Sequence, residues 1–192
     1  MVKEPRPGRV KSRLGRDIGM TTAAWWFRHQ VAELLRRLDD PRWELVLAVT
    51  PDREGMISRI WPKHLNRLPQ GPGDLGDRMA RALRSTRSGA VCVIGADIPG
   101  ISKIHVHRAF RALGDHEAVL GPAPDGGYWL IGLKNTRPAP VAMFKQVRWS
   151  TTHALKDTLA SISGLRVALI DELHDIDTID DLRMTAHRGR AT

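Results

Sequence analysis

Five apolar residues, Ala90-Val91-Cys92-Val93-Ile94, run directly into Gly95-Ala96-Asp97-Ile98-Pro99-Gly100. An uninterrupted apolar run bounded by turn residues reads as a strand buried on both faces. Such strands occur in α/β folds, where helices cover both sides of a sheet. Ile94 then ends a central strand, and Asp97 stands just past its carboxyl end, where open α/β sheets bind ligands. A carboxylate in that position serves as a hard-metal ligand or a general base. The competing reading is a turn residue that caps the helix expected from Ser102.

The rest of the chain repeats this alternation. Residues 21–39 carry Ala24, Trp25, Phe27, Val31, Leu34, Leu35 and Leu38 at helical spacing, with Thr21 or Thr22 as the N-cap. Strands are expected at Trp43–Thr50, stopped by Pro51-Asp52, and more weakly at Leu65–Gln70. The turn Gly71–Gly76 opens a helix through Leu83, and a further helix spans Ser102 to about Leu113. Ala118–Gly121 and Tyr128–Leu133 read as strands joined by the Asp125-Gly126-Gly127 turn. Thr151–Ile162 reads as a helix, Val167–Ile170 as a strand, and Thr178 caps a last helix through His187. Strands alternating with helices imply a mainly parallel sheet in a three-layer sandwich. At 192 residues, residues 1–192 form one domain.

Composition removes several classes. No apolar run approaches the ~18 residues of a membrane span. The start of the chain lacks the apolar core of a secretory signal, so a cytoplasmic location is expected. One cysteine excludes an internal disulfide framework, and Cys92 falls inside the buried strand. The net charge of +9 could attract nucleic acid, but the basic residues are scattered among acidic ones. No nucleic-acid-binding motif accompanies them, so specific nucleic-acid binding is not expected. No zinc spacing and no nucleophile elbow is present.

Four groups of residues carry the candidate chemistry. The loop Pro7-Gly8-Arg9-Val10-Lys11-Ser12-Arg13 offers backbone amides and two cations, suited to a diphosphate. It would follow a first strand of which only Met1-Val2-Lys3 is present, where a strand takes about five residues. Met1 is therefore expected to lie inside a longer strand, with the sheet open or stunted there and its edge free to favour a homodimer. The turn containing Gly71, Gly73, Asp74 and Gly76, with Arg78 beyond it, can lie against a base or phosphate. Asp125-Gly126-Gly127-Tyr128-Trp129 gives a tight turn beside two aromatics, either of which could stack on a sugar or base. Asp175 and Asp177 precede the Thr178 cap and point the same way if extended. With Asp97 they would suit Mg²⁺ or Mn²⁺ bridging phosphates.

Taken in order, Lys3-x-Pro5-x-Pro7-Gly8-x-x-Lys11-x-Arg13-Leu14, Gln70-Gly71-x-Gly73-Asp74-Leu75-Gly76-x-Arg78-Met79, Ile94–Gly100, Gly121-Pro122-Ala123-x-Asp125-Gly126-Gly127-Tyr128, Trp149-Ser150-Thr151 and Asp175-Ile176-Asp177-Thr178-x-x-Asp181-Leu182 resemble a bacterial GT-A-like glycosyltransferase family of unknown function. That family is associated with radical-SAM and selenodomain proteins. It is related to nucleotide-diphospho-sugar transferases and to the molybdenum-cofactor and phospholactate guanylyltransferases. The resemblance covers almost the whole chain, with the first strand truncated or missing.

The resemblance implies a GT-A, nucleotide-diphospho-sugar transferase-like fold and a nucleotide sugar or nucleoside triphosphate as substrate. It implies that Asp97 and Asp177 hold the divalent metal, with Asp175 as a third acid. Lys11 and Arg13 would face the phosphates, and the Gly71–Gly76 turn would lie near the base. Asp125, Gly126, Gly127, Tyr128, Trp149 and Ser150 would lie near the sugar or a small-molecule acceptor. The expected activity is metal-dependent glycosyl transfer, with Asp97, Lys11 and Asp125 as catalytic residues. The alternatives are nucleotidyl transfer with pyrophosphate release and non-catalytic nucleotide binding by a degenerate member.

Overall fold

The computed structural model describes residues 1–85, 89–135 and 139–188, without the side chains of 184–188. Among them are seven strands and seven helices. In chain order these are β1 (Val2–Lys3), α1 (Ser12–Ile18), α2 (Met20–Leu38), β2 (Leu47–Thr50), α3 (Asp52–Ile57), β3 (Arg67–Pro69), α4 (Leu75–Leu83), β4 (Val91–Ile94), α5 (Lys103–Asp115), β5 (Ala118–Pro122), β6 (Tyr128–Leu133), α6 (Ala154–Ser161), β7 (Val167–Leu169) and α7 (Ile179–Arg188).

The strands form two sheets. The first is fully parallel, in the order β1-β2-β3. The second has the order β4-β6-β5-β7. Here β6 runs antiparallel to both β4 and β5, while β5 and β7 are parallel. The expectation of a mainly parallel sheet therefore holds for the N-terminal half and gives way to a mixed sheet in the C-terminal half. The cause is the short Ala123–Gly127 connection, which turns the chain straight back on itself instead of crossing over through a helix. At the seam between the sheets, the amino group of Met1 donates to the carbonyl of Ile94 at 2.7 Å.

Helices cover both faces of the second sheet, which is why its strands read as nearly continuous apolar runs. Strand β4, expected as a fully buried central strand, instead stands half-buried at an edge of this sheet. One face packs Met79, Ala80 and Leu83 of α4 against Ala118, Leu120, Ile131 and Leu133. The other packs Leu34 and Leu38 of α2 and Val106, Ala109 and Leu113 of α5 against Val119, Trp129 and Leu130. Helix α2 spans the two halves. Its Ala24, Phe27, Val31 and Leu35 lie on Val2, Leu47 and Val49 of the first sheet. Trp129 is 2 % exposed, and its indole N–H donates to the Asp171 carbonyl at 2.8 Å. That places it in the core, and the expectation that it could stack on a ligand fails for it.

Several boundaries move. Gly19, with φ 90°, stands at the N-cap of α2 in place of Thr21 or Thr22. Trp43 lies outside β2 because its ring stacks on Phe110 of α5 and its indole N–H donates to Leu38. Helix α3 follows Pro51 directly, so the chain there turns into a helix rather than a loop. Helix α1 begins inside the cationic loop itself.

Gly121 in β5 sits against the Trp129 ring, which fills the space a side chain would need. Gly121→Ala is expected to lower stability by about 1–3 kcal/mol through overpacking. The check is the urea midpoint, which should fall with the denaturant slope unchanged.

Candidate functional site

Asp97 is reached by the turn after β4. Its carbonyl accepts from Ile176 N at 3.3 Å, which ties this turn to the segment after β7. The cap of α5 falls to Ser102, whose hydroxyl and backbone engage His105, so the Asp97 side chain is free of capping. Further on, Asp181 accepts from the backbone N–H of Asp177 and Thr178 and from the Thr178 hydroxyl. A capping carboxylate at that point satisfies the helix start and leaves Asp175 and Asp177 to face elsewhere.

Those three acids converge. One carboxylate oxygen from each of Asp97, Asp175 and Asp177 lies within 4.8 Å of the other two. Lys11 reaches into the group from the loop after β1. Its ammonium stands 2.6 Å from Asp97 Oδ2, 2.7 Å from Asp177 Oδ1 and 3.9 Å from Asp175 Oδ2. Arg13 Nη1 takes the other Asp177 oxygen at 3.2 Å. The Lys11 side chain is 5 % exposed, whereas Arg13 is largely in solvent. Lys11 occupies left-handed backbone, φ 45° and ψ 48°, at the N-cap of α1. A lysine is rarely found there, and such strain concentrates at ligand sites.

Burial acts against the charge of Lys11, but Asp97 and Asp177 outweigh it and hold the ammonium above its ordinary range. Burial pushes the Asp175 carboxyl up to about 6, against the pull of Lys11, and the neighbouring charges of Asp177, Asp97 and Asp125 add to the rise.

This group lies on a cavity of about 600 Å³. Lys11, Arg13, Arg78, Asp97, Asp125, Gly127, Tyr128, Trp149, Ser150, Asp175 and Asp177 all line it. The remaining sequence candidates do not. Pro7 and Gly8 lie off the cavity, and Gly126 turns against the Thr152 backbone. In the Gly71–Gly76 turn the guanidinium of Arg81 fills the space beside Gly71, and Asp77 fills that beside Gly73. Asp74 caps α4 in a reciprocal pair with Asp77. Gly76 leaves room for the Trp149 and Phe144 side chains. The glycines of this turn are thus spent on folding it, and Leu75 and Arg78 are the members that reach the cavity.

Three details shape the walls. The Asp125 carboxylate accepts from Gly127 N at 2.9 Å, so it fixes its own turn as well as facing the cavity. The Tyr128 hydroxyl accepts from Thr158 at 3.3 Å and points toward Met79, and burial raises its pKa. Its ring forms wall, and its hydroxyl is turned away from any ligand. The Trp149 indole N–H has no partner among the described residues. Two further residues carry no strong sequence signal. Arg9 lines the cavity beside Lys11. Gln70 is buried at the end of β3, and its amide donates to Val2 and Ala48 across the first sheet. A polar residue closing an apolar strand was the available clue to Gln70. A second cavity, between α2 and residues 60–65, shares no residue with the first and has one acid, Asp39, on its wall.

Residues 34–151 match the bacterial family described as "Uncharacterized protein conserved in bacteria (DUF2064)". The chain belongs to this family. Its structure is similar to a protein from Desulfovibrio desulfuricans G20 that carries the provisional description nucleotide-diphospho-sugar transferase, with 31% identity, a TM-score of 0.86, and coverage of 96% of this chain and 83% of that one. More distantly it is similar in fold to 4-diphosphocytidyl-2C-methyl-D-erythritol synthase from Anaerococcus prevotii DSM 20548, at 13% identity and TM-score 0.56, covering 85% and 86% of the two chains. A mycobacterial protein from strain JC1 matches at 15% identity and TM-score 0.55, covering 86% and 84%. No curated protein matches the sequence at a significant level. The family thus has the nucleotide-diphospho-sugar transferase fold expected from its motifs. No helix among the described residues is long and apolar enough to cross a membrane.

The raised Asp175 carboxyl gives a pH test. Between the ordinary value of 3.8 and about 6 the folded protein holds a proton that the unfolded chain has lost. Stability contributed by that proton is present below this window and declines as pH rises through it. The urea midpoint of the metal-free wild type is expected to fall across this window relative to Asp175→Asn. Parallel curves for the two proteins would contradict it.

Proposed function

We propose that the protein is a divalent-metal-dependent transferase that moves a glycosyl group from a nucleotide sugar to a small-molecule acceptor. The observation that carries this reading is the convergence of Asp97, Asp175 and Asp177 with Lys11 and Arg13 on one cavity. Carboxylates alone would repel a diphosphate, and cations alone would need no acids. The mixture matches a metal–diphosphate pair.

The residues fit a small divalent cation. An octahedral ion with oxygen bonds of about 2.1 Å sets neighbouring ligands about 3 Å apart and opposite ones about 4.2 Å apart, so carboxylate oxygens within 4.8 Å of one another have to close up on it by side-chain rotation. Asp97, Asp175 and Asp177 would hold it, and it would supply charge neutralisation to the departing diphosphate. Lys11, Arg13 and Arg78 would add fixed positive charge there, where negative charge builds as the sugar–phosphate bond breaks. Trp149 lines the cavity, and the wall formed by Tyr128 limits the size of the substrate. Asp125 faces the cavity from the β5–β6 turn and is the group available to take the acceptor's proton.

Nucleotidyl transfer is the second reading. It is favoured by the number of cations on the cavity, since Arg9 and Lys3 join the three above. Five positive groups exceed what a diphosphate requires and would suit a triphosphate. Pyrophosphate release from nucleoside triphosphates, without turnover of nucleotide sugars, selects this reading.

Thermal-shift screening of nucleotide sugars with and without Mn²⁺ tests the proposal. A ligand at 100 times its Kd adds about 2.7 kcal/mol, or roughly 5–10 °C in Tm for a chain of this size. That rise is expected in wild type with Mn²⁺ present and should vanish in Asp97→Asn. A Mn²⁺-independent rise retained by Asp97→Asn would refute the metal role.

A further inference from the structure

We propose that Lys11 alternates between the acidic group and the phosphates of the nucleotide, and thereby couples cation binding to nucleotide binding. The inference rests on the reading above and concerns what the ammonium does when a divalent cation enters.

The geometry sets up a competition. Both oxygens of Asp177 are engaged by cations, Oδ1 by Lys11 and Oδ2 by Arg13. Lys11 also holds Asp97 Oδ2 and approaches Asp175 Oδ2 at 3.9 Å. Its nitrogen therefore sits at the meeting point of the three carboxylates that would ligate a metal. A cation that draws on all three must centre itself in the same space. Two positive centres at so short a distance repel, all the more because the Lys11 side chain is buried.

The charges point to where the ammonium goes. Three carboxylates against Lys11 and Arg13 leave one negative charge, and a divalent cation turns that into one positive charge. A phosphate in the cavity then becomes the complementary partner for Lys11. A change of side-chain rotamer would carry the lysine to it, because Lys11 lines the cavity together with Arg9 and Arg13. Without nucleotide, release of Lys11 gives up its contacts with Asp97 and Asp177 for no anionic partner, which opposes cation binding. With nucleotide the same release creates a charge-assisted contact. Cation and nucleotide should each tighten the other by the same factor.

Manganese binding to the full chain, followed by calorimetry or by the paramagnetic signal of free Mn²⁺, tests this. Lys11→Met is expected to bind Mn²⁺ alone about tenfold more tightly than wild type, within the roughly 5–150-fold range of coupling between sites. UDP or GDP, used as probes, should raise Mn²⁺ affinity by a larger factor in wild type than in Lys11→Met, where only the direct contact between phosphate and ion remains. Arg13→Ala removes a solvent-exposed cation of equal charge and should change affinity less than about threefold. A second measurement needs no variant. Acetylation of Lys11 by an amine-reactive reagent, read by mass spectrometry, should be slow alone, faster with Mn²⁺, and slow again with Mn²⁺ and UDP or GDP. Equal or weaker Mn²⁺ binding by Lys11→Met, or labelling indifferent to Mn²⁺, overturns the exchange. Absence of Mn²⁺ binding by both proteins instead removes the metal reading itself, and the exchange with it.

Discussion

The structure is organised around one buried ammonium. Lys11 comes from the loop after β1, Asp97 from the turn after β4 and Asp177 from beyond β7, and their contacts span 86 and 166 positions of sequence. The two sheets meet through little backbone pairing, with Met1 and Ile94 supplying the hydrogen bond at the seam. The ion cluster therefore sits where the sheets adjoin, and it converts a desolvation cost into a clasp between distant segments. A buried charge is tolerated only when its partners are close and well placed, and here two contacts are under 2.8 Å. Helix α2 supports the same junction from below, since its two apolar stripes rest on different sheets.

The same cluster explains why the site's parts are so unequal. Residues close to the carboxylates carry polar groups with work outside their own turn. Residues farther along the cavity rim are consumed by local structure. Gly71, Gly73 and Gly76 make room for Arg81, Asp77 and Trp149, and Asp74 closes a helix cap. A glycine-rich turn beside a helix thus has two uses that look identical in a sequence. Here the four glycine and aspartate candidates of the turn lie off the cavity, while Leu75 and Arg78 line it.

How far the sequence revealed the molecule depended on the range of the forces involved. Short-range signals were legible. The presence of a strand at Val91–Ile94, the Ser102 start of α5 and the Thr178–Asp181 cap all follow from neighbours within a few residues, whereas the half-buried edge position of that strand does not. The pairing of Asp97 with Asp177 was legible only through the order of motifs, because no local rule relates positions 80 apart. The place of Lys11 among the acids was not legible. A cation beside a glycine suggests phosphate, and nothing in the loop says that carboxylates hold it first. The antiparallel β6 was half legible, since its tight turn was visible while its insertion between β4 and β5 is a choice of the whole sheet. Trp129 was misread because a tryptophan near a turn looks the same whether it faces a ligand or the core, and only the Asp171 carbonyl across the sheet decides between them.

Tyr128 is the only tyrosine in the chain. Its ring lines the cavity while its hydroxyl is enclosed between Thr158 and Met79. Phenolate absorbance in this protein consequently arises from a single address, directly beneath the site. Its appearance in alkali requires the α4–α6 flank to loosen, so one ultraviolet band reports on the solidity of the floor on which any bound ligand rests.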